Sequence, residues 1–278
     1  KSLTFLGDMF DGVQCPCILL QLVATGKPLS TVGMRIEDRT RTFIIAMERT
    51  VVPENFSFRM TDEEYRVLEK IKNSIPVCYL ADHADFALGI VTGNNKKFLS
   101  AEKTEHSEMV LKGTDICKYH INPAKQYLRF EPEQFQQVAP LEIYRAPEKL
   151  LYRFISNQLV VAYDDRQMLS LNSCNIVIPK IEGMQIKYIL AILNSSVSQF
   201  VYQKEFHSIK VLRAHMEHIP IPRVGKAIQN EIIAMTEPLI CGMGKEAAET
   251  CQKRLDCRIM DLFRLSAEEQ WIIRHALH

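Results

Sequence analysis

The chain of 278 residues reads as a mixed α/β fold: a twisted, β-rich region with a long packing helix, C-terminal helices behind it and a β segment in front. Three observations predict this. Short apolar runs bounded by Gly and charged turns fill the first 60 or so residues and recur between 77 and 180. The stretch "MQIKYILAILNSSVSQFVYQ" places Ile186, Ile189, Leu190, Leu193, Val197, Phe200 and Val201 near helical spacing. The last fifty or so residues repeat that period.

In chain order, "CPCILLQLVA", "STVGMRIE" and "RTFIIAME" predict a meander of antiparallel strands. "TDEEYRVLEKIKNS" then starts a helix, with Thr61 as N-cap, Glu64 completing a capping box, and Tyr65, Leu68 and Ile71 on one face. Pro76 follows its end. Between 77 and 180 the clearest strands are "KLLYRFI", "QLVVAYDD" and "SCNIVIP"; Asn157-Gln158 reads as a hairpin turn between the first two, and Asp164 to Gln167 as the next one. Residues 184 to 203 predict one long helix against the sheet, ended by "HIPIPR", where each proline removes an amide donor. Helices are expected at roughly 227–240, 245–263 and 267–277, the last with Ser266 and Glu269 as a capping box.

Composition narrows the class. With 47% hydrophobic residues the chain can bury a core. No run of about 18 apolar residues and no secretory leader is present, so neither a membrane span nor export is expected, and a cytoplasmic location is. Cys15, Cys17, Cys78, Cys117, Cys174, Cys241, Cys251 and Cys257 contain no CxxC pair and read as buried, reduced thiols. The net charge is only +1. Locally, Lys180, Lys187, Lys204, Lys210, Arg213, Arg223 and Lys226 outnumber Glu182, Glu205 and Glu217, with His207, His215 and His218 alongside; a solvated helix face accounts for this as readily as a polyanion site. The chain opens on Lys1 and enters a strand-like pattern at once, so a piece of something longer is expected.

Catalytic and cofactor motifs fail one by one. "FALGIVTGNNKKFLS" offers only Gly89-x-x-x-Gly93, short of a phosphate cradle, and "GMGKEA" lacks a third glycine and reads as a helix–helix loop. Cys15-Pro-Cys17 and His215/His218 lack a second pair at zinc spacing. No G-x-S-x-G or H-E-x-x-H occurs. For Asp164-Asp165 the plain reading is a pair of turn-formers. What remains is a sheet with basic and amide-rich tips. Lys and Arg neutralise phosphates, and Asn, Gln and Arg make two hydrogen bonds to a base edge, so duplex DNA is the partner these tips suit.

Several stretches, in their order, resemble the target-recognition domain of TaqI-like adenine-N6 DNA methyltransferases and of type I and combined restriction–modification enzymes. They are "FALGIVTGNNKKFLS", "VLKGTDICKYHI", "EKLLYRFISNQLVVAYDDRQMLSLNSCNIVIP", and "LAILNSSVSQFVYQ" with "MEHIPIP" after it. The resemblance implies that residues 1–75 are the end of a methyltransferase domain, 76–225 a DNA target-recognition domain and 226–278 a C-terminal helical segment. It implies double-stranded DNA and the methyltransferase domain of the same parent chain as partners. S-adenosylmethionine is expected in the parent and no cofactor in these residues, because the family's Asn-Pro-Pro-Tyr and glycine-rich cofactor loop are missing and no Pro-Pro pair occurs. The residues should not methylate by themselves; the parent is expected to, with or without an endonuclease activity.

Candidate DNA contacts are Thr92, Asn94, Asn95, Lys96 and Lys97 at the first loop, Asp164, Arg166 and Gln167 at the second, and Lys204, His207, Lys210 and Arg213 after the long helix. Gly93 is structural. Lys118 and Tyr119 are further candidates, with a structural role for Tyr119 weighing equally. The alternative is a scaffold whose C-terminal helices dock a methyltransferase or nuclease subunit; excess apolar residues on their outer faces would mark it.

Overall fold

In the computed structural model, which describes every residue except 14, 25, 27–29, 50–57, 207 and 278, the chain divides into two units, Lys1–Glu69 and Lys70–His278. The first holds β1 (Ser2–Asp8), β2 (Pro16–Gln21), β3 (Arg35–Glu37) and β4 (Thr42–Ile44) in the order β2-β1-β3-β4. β1 pairs antiparallel with β2 but parallel with β3. The expected meander is therefore corrected: the long connection after β2 carries the chain across to the other side of β1. Leu3, Ile36 and Ile45 form this unit's core, with Phe5, Met34, Phe43 and Phe58 against it. The edge strand β2 leaves Ile18, Leu19 and Leu20 at 57%, 54% and 49% exposure. Successive strand residues point to opposite faces, so the edge is open and apolar on both.

Helix α1 (Asp62–Asn73) begins with the expected capping box: the Thr61 amide donates to Glu64 Oε2 at 2.8 Å and the Glu64 amide to the Thr61 hydroxyl at 3.3 Å. Val67, Leu68 and Ile71 are buried.

The second unit continues with β5 (Val77–Cys78), β6 (Ala84–Ala87), α2 (Asn95–Phe98), β7 (Leu99–Ser100), β8 (Glu108–Leu111), β9 (Tyr127–Leu128), α3 (Leu141–Tyr144), β10 (Lys149–Arg153), β11 (Val161–Asp164), β12 (Leu169–Ser170) and β13 (Cys174–Pro179). Then come α4 (Ile186–Asn194), α5 (Ser196–Glu205), α6 (Arg213–Glu217), β14 (Ile221–Pro222), α7 (Lys226–Cys241), α8 (Lys245–Leu262) and α9 (Ala267–Ala276). The main sheet is antiparallel, β11-β10-β13-β6. A second sheet, β12-β8-β9-β7, is extended by Ile90 beside Leu171 and by Gln137 beside Val91. Its two ends come back toward each other, because the Phe98 ring, next to β7, meets that of Phe135 edge-on at 5.4 Å. One apolar cluster, including Ile90, Val110, Leu128, Leu151 and Ile176, serves both sheets.

Two glycines make the junction between sheets possible. A Cβ on Gly89 would lie 2.2 Å from the Leu171 carbonyl oxygen, and one on Gly113 would lie 2.5 Å from that of Ser173. β10 and β11 form the expected hairpin, with a connection over 154–160 that is wider than two residues. The turn after Asp164 is not a second hairpin: β11 belongs to the main sheet and β12 to the other, so it hands the chain between them.

The long helix is also corrected to two. Ser195 adopts an extended backbone, ψ 159°, and its hydroxyl caps α5 by accepting from the Ser198 amide at 3.2 Å. α4 lies between the main sheet and α7, which explains why Tyr188 through Asn194 are all buried. α7, α8 and α9 lie where the apolar period predicts, and Ser266 caps α9 with Glu269 as expected. All eight cysteines are free, but only Cys78 and Cys174 are buried, which corrects the expectation of buried thiols. Among the described residues no helix is long and apolar enough to cross a membrane, and no group of three or more His, Cys, Asp or Glu is placed to hold a metal ion.

Candidate nucleic-acid interface

The first loop leaves the sheet through Gly93, whose φ of +75° suits a residue without Cβ. Asn94 is not left-handed but caps α2, its Oδ1 accepting from the Lys97 amide at 3.2 Å. The Thr92 hydroxyl accepts from the Asn94 amide at 3.2 Å and donates to Asn95 Oδ1 at 2.6 Å. Thr92, at 4% exposure, is thus an internal strut rather than a displayed contact. This bonding holds Lys96 and Lys97 outward, the latter with Nζ 4.6 Å from the Phe98 ring.

At the second tip Asp164 is corrected from a contact to a buried anchor. Its Oδ2 lies 2.5 Å from Lys149 Nζ with both side chains sealed from solvent, and its carboxylate accepts from the Arg166 and Met168 amides at 2.9 and 3.0 Å. Burial lowers the Lys149 pKa, and the attraction of Asp164 opposes that shift. Arg166 and Gln167 are exposed as expected. Gln167 sits at φ +56°, and Arg145 fastens the turn by donating to its carbonyl at 2.8 Å and to Glu108 at 2.6 Å.

The third group divides. Lys204 is only 6% exposed, with Nζ 5.8 Å from the Phe200 ring, so its stem and head belong to the packing of α5. His207 lies outside the described residues. Lys210 and Arg213 are exposed; Lys210 pairs in backbone with Ile155, and Arg213 bonds Glu217 at 2.7 Å and lies 5.2 Å from the Phe86 ring. Lys118 turns inward, donating to the Asn194 carbonyl at 3.1 Å, and burial lowers its pKa against the pull of Asp256. Tyr119 is sealed at φ +73°, donating its amide to the Val161 carbonyl at 2.7 Å, so of its two roles the structural one stands.

The exposed candidates do not form a single patch. Asp164 faces Lys149 at one end of β10, whereas Arg153 at the other end faces Cys174, beside which Gly89 leads into the first loop. The ends are separated by about 13 Å at roughly 3.3 Å per residue. Lys96, Lys97 and Lys210 belong to the Arg153 end, and Arg166 and Gln167 to the Lys149 end, while Arg213 lies over Phe86, level with Val177 and Leu150. Two side chains were missed by sequence reading. Arg145 clamps the second tip, and Gln136 lies against the first, its Oε1 3.5 Å from where a Cβ on Gly93 would be. The amide-rich "EQFQQV" was the available signal for Gln136, but only the pairing of Gln137 with Val91 shows which loop it adjoins.

Residues 108–221 match the family model described as the TaqI-like C-terminal specificity domain. No curated protein matches. Among solved structures, the type IIL restriction-modification enzyme MmeI in complex with DNA has a TM-score of 0.55 at 11% identity, covering 99% of this chain and 44% of that one. At that identity the likeness is one of fold. The HsdS subunit from Thermoanaerobacter tengcongensis matches with a TM-score of 0.40 at 14% identity, over 78% of this chain and 50% of that one. A type I R-M system structure matches with a TM-score of 0.43 at 13% identity, over 78% and 52%. The chain spans about half the length of these structures. Over residues 108–221 the chain is thus similar to the TaqI-like C-terminal specificity domain.

Proposed function

We propose that this chain recognises a specific sequence in double-stranded DNA, as the specificity part of a restriction–modification adenine-N6 methyltransferase. The carrying observation is a division of labour. Side chains and backbone away from the tips build the frame: Asn194 pins the sheet edge, Ser195 caps α5, and Ile221 pairs with Cys78. The tips carry Lys96, Lys97, Arg166 and Gln167 outward. Phosphate contacts from Lys96, Lys97, Lys210 and Arg213 set register on the duplex, and side chains at the tips select the bases.

The first unit reads as the closing strands of a methyltransferase domain. Its apolar edge strand β2, open on both faces, supports a seam with further protein there. S-adenosylmethionine and the methylating residues belong to the parent outside these residues. The glycines of the matched region and first loop are taken up by packing: Gly89 and Gly113 are closed off by the 171–174 backbone, and Gly93 packs on Gln136.

The test is selection from a random duplex pool with the purified chain. Enrichment of one sequence is expected, and a pool that stays random contradicts the proposal. The scaffold reading draws support from β2 but not from the C-terminal helices, where Trp271 is the only exposed large hydrophobic among the described residues of α7, α8 and α9. Light scattering of the chain with and without Ile18→Glu and Leu20→Glu separates the two: loss of an oligomer with duplex selection absent favours the scaffold, whereas selection retained by the double variant favours the DNA reader.

A further inference from the structure

We propose that Gln136 reads a base edge in the duplex, beside phosphate contacts from Lys96 and Lys97; this rests on the DNA-recognition reading above. A carboxamide that discriminates a base must present its oxygen and its nitrogen together, as in the paired hydrogen bonds to adenine N6 and N7 in the major groove. Asn94 and Asn95 are less suited, since Oδ1 of Asn94 accepts from the Lys97 amide and Oδ1 of Asn95 from the Thr92 hydroxyl, which ties the orientation of each carboxamide to the loop. Both are spent on shaping the loop.

Gln136 keeps both atoms available. It is exposed, and its carboxamide makes no hydrogen bond among the described residues. Its position is set by backbone rather than by chance. Val91 and Gln137 exchange both hydrogen bonds, at 2.9 and 3.1 Å, so their side chains share one face of the pair and Gln136 shares the other with Thr92. That places Gln136 against the loop: a Cβ on Gly93 would lie 3.4 Å from its Cβ and 3.5 Å from its Oε1. Gly93 is therefore both a turn residue and the space that Gln136 lies across. The loop supplies two cations, and the neighbouring strand supplies the amide the loop has used up.

The experiment compares wild type, Gln136→Ala, Gln136→Glu and the double variant Lys96→Ala/Lys97→Ala in random-pool duplex selection, then measures binding to the selected duplex and its single-base variants. The expected result for Gln136→Ala is loss of preference at one adenine-containing pair, roughly 5- to 150-fold in discrimination, with the other positions unchanged. Gln136→Glu, which cannot donate, loses preference at the same pair. The lysine double variant weakens binding to all sequences and keeps the preference. If wild type selects a sequence and both Gln136 variants keep its full preference, this assignment is overturned while the proposed function stands. If wild type selects nothing, the proposed function fails and takes the assignment with it. Circular dichroism of each variant guards against a folding defect, which the exposure of all three side chains makes unexpected.

Discussion

Asn194 accepts a hydrogen bond from the Val161 amide at 3.1 Å and returns one to the Val161 carbonyl at 2.8 Å. A side-chain amide at the end of α4 thus pairs with the edge of β11, beside the bridge that Tyr119 makes to the same strand. Gln199 makes one half of such a contact further along the chain, its Oε1 accepting from the Leu159 amide at 2.8 Å. These contacts join the main sheet to the helices behind it.

Asn194→Leu leaves the buried Val161 amide without a partner. The expected cost is about 1–3 kcal/mol, the penalty for an unsatisfied buried group. Urea denaturation of the variant reads it directly; an unchanged midpoint would mean that the edge is satisfied some other way.

Asp164→Ala strands the Lys149 ammonium in a sealed site with the Tyr144 carbonyl, 2.6 Å away, as its remaining partner. Breaking a buried pair from one side costs about 3–5 kcal/mol. Stability should fall by that order. The contrasting variants Arg166→Ala and Gln167→Ala, both exposed, should leave stability within about 0.5 kcal/mol. Equal stability of Asp164→Ala and Arg166→Ala would return Asp164 to the surface.

His215 couples stability to pH. Its Nδ1 accepts from the Leu212 amide at 3.2 Å and its ring stacks on Phe206 at 4.4 Å, so the neutral form is the one that fits. Burial lowers its pKa, the bond to the Lys210 backbone opposes that, and nearby His218 adds to it. A base whose folded pKa is depressed binds fewer protons folded than unfolded, so its contribution is whole above the unfolded value near 6.5 and declines as pH falls below it. Melting temperature should drop more between about pH 7.5 and 5.5 for wild type than for His215→Gln. Parallel curves would contradict this.

The sequence was most legible where structure is local. The boxes at Thr61 and Ser266 and the helical periods after Lys226 needed only neighbours a few residues apart. It was less legible where a residue's meaning lies in a distant partner. Asp164 reads as a turn-former until β10 brings Lys149 across from it. The apolar period from Ile186 to Val201 runs through Ser195, and the break there depends on local hydroxyl bonds that periodicity does not register. The parallel pairing of β1 with β3 needs a crossover that short apolar runs do not announce. At the interface the cations were visible, but the spending of the Asn94 and Asn95 oxygens and the approach of Gln136 were not.

The central claim is tested most directly by titrating the chain with its selected duplex and with a scrambled duplex of equal length, over a salt series of about 50 to 200 mM. The account predicts that both affinities fall with salt, the slope of log affinity against log salt being roughly −0.9 for each phosphate neutralised, while the selected duplex stays tighter throughout. Affinities that ignore salt, or that coincide for the two duplexes, would contradict it.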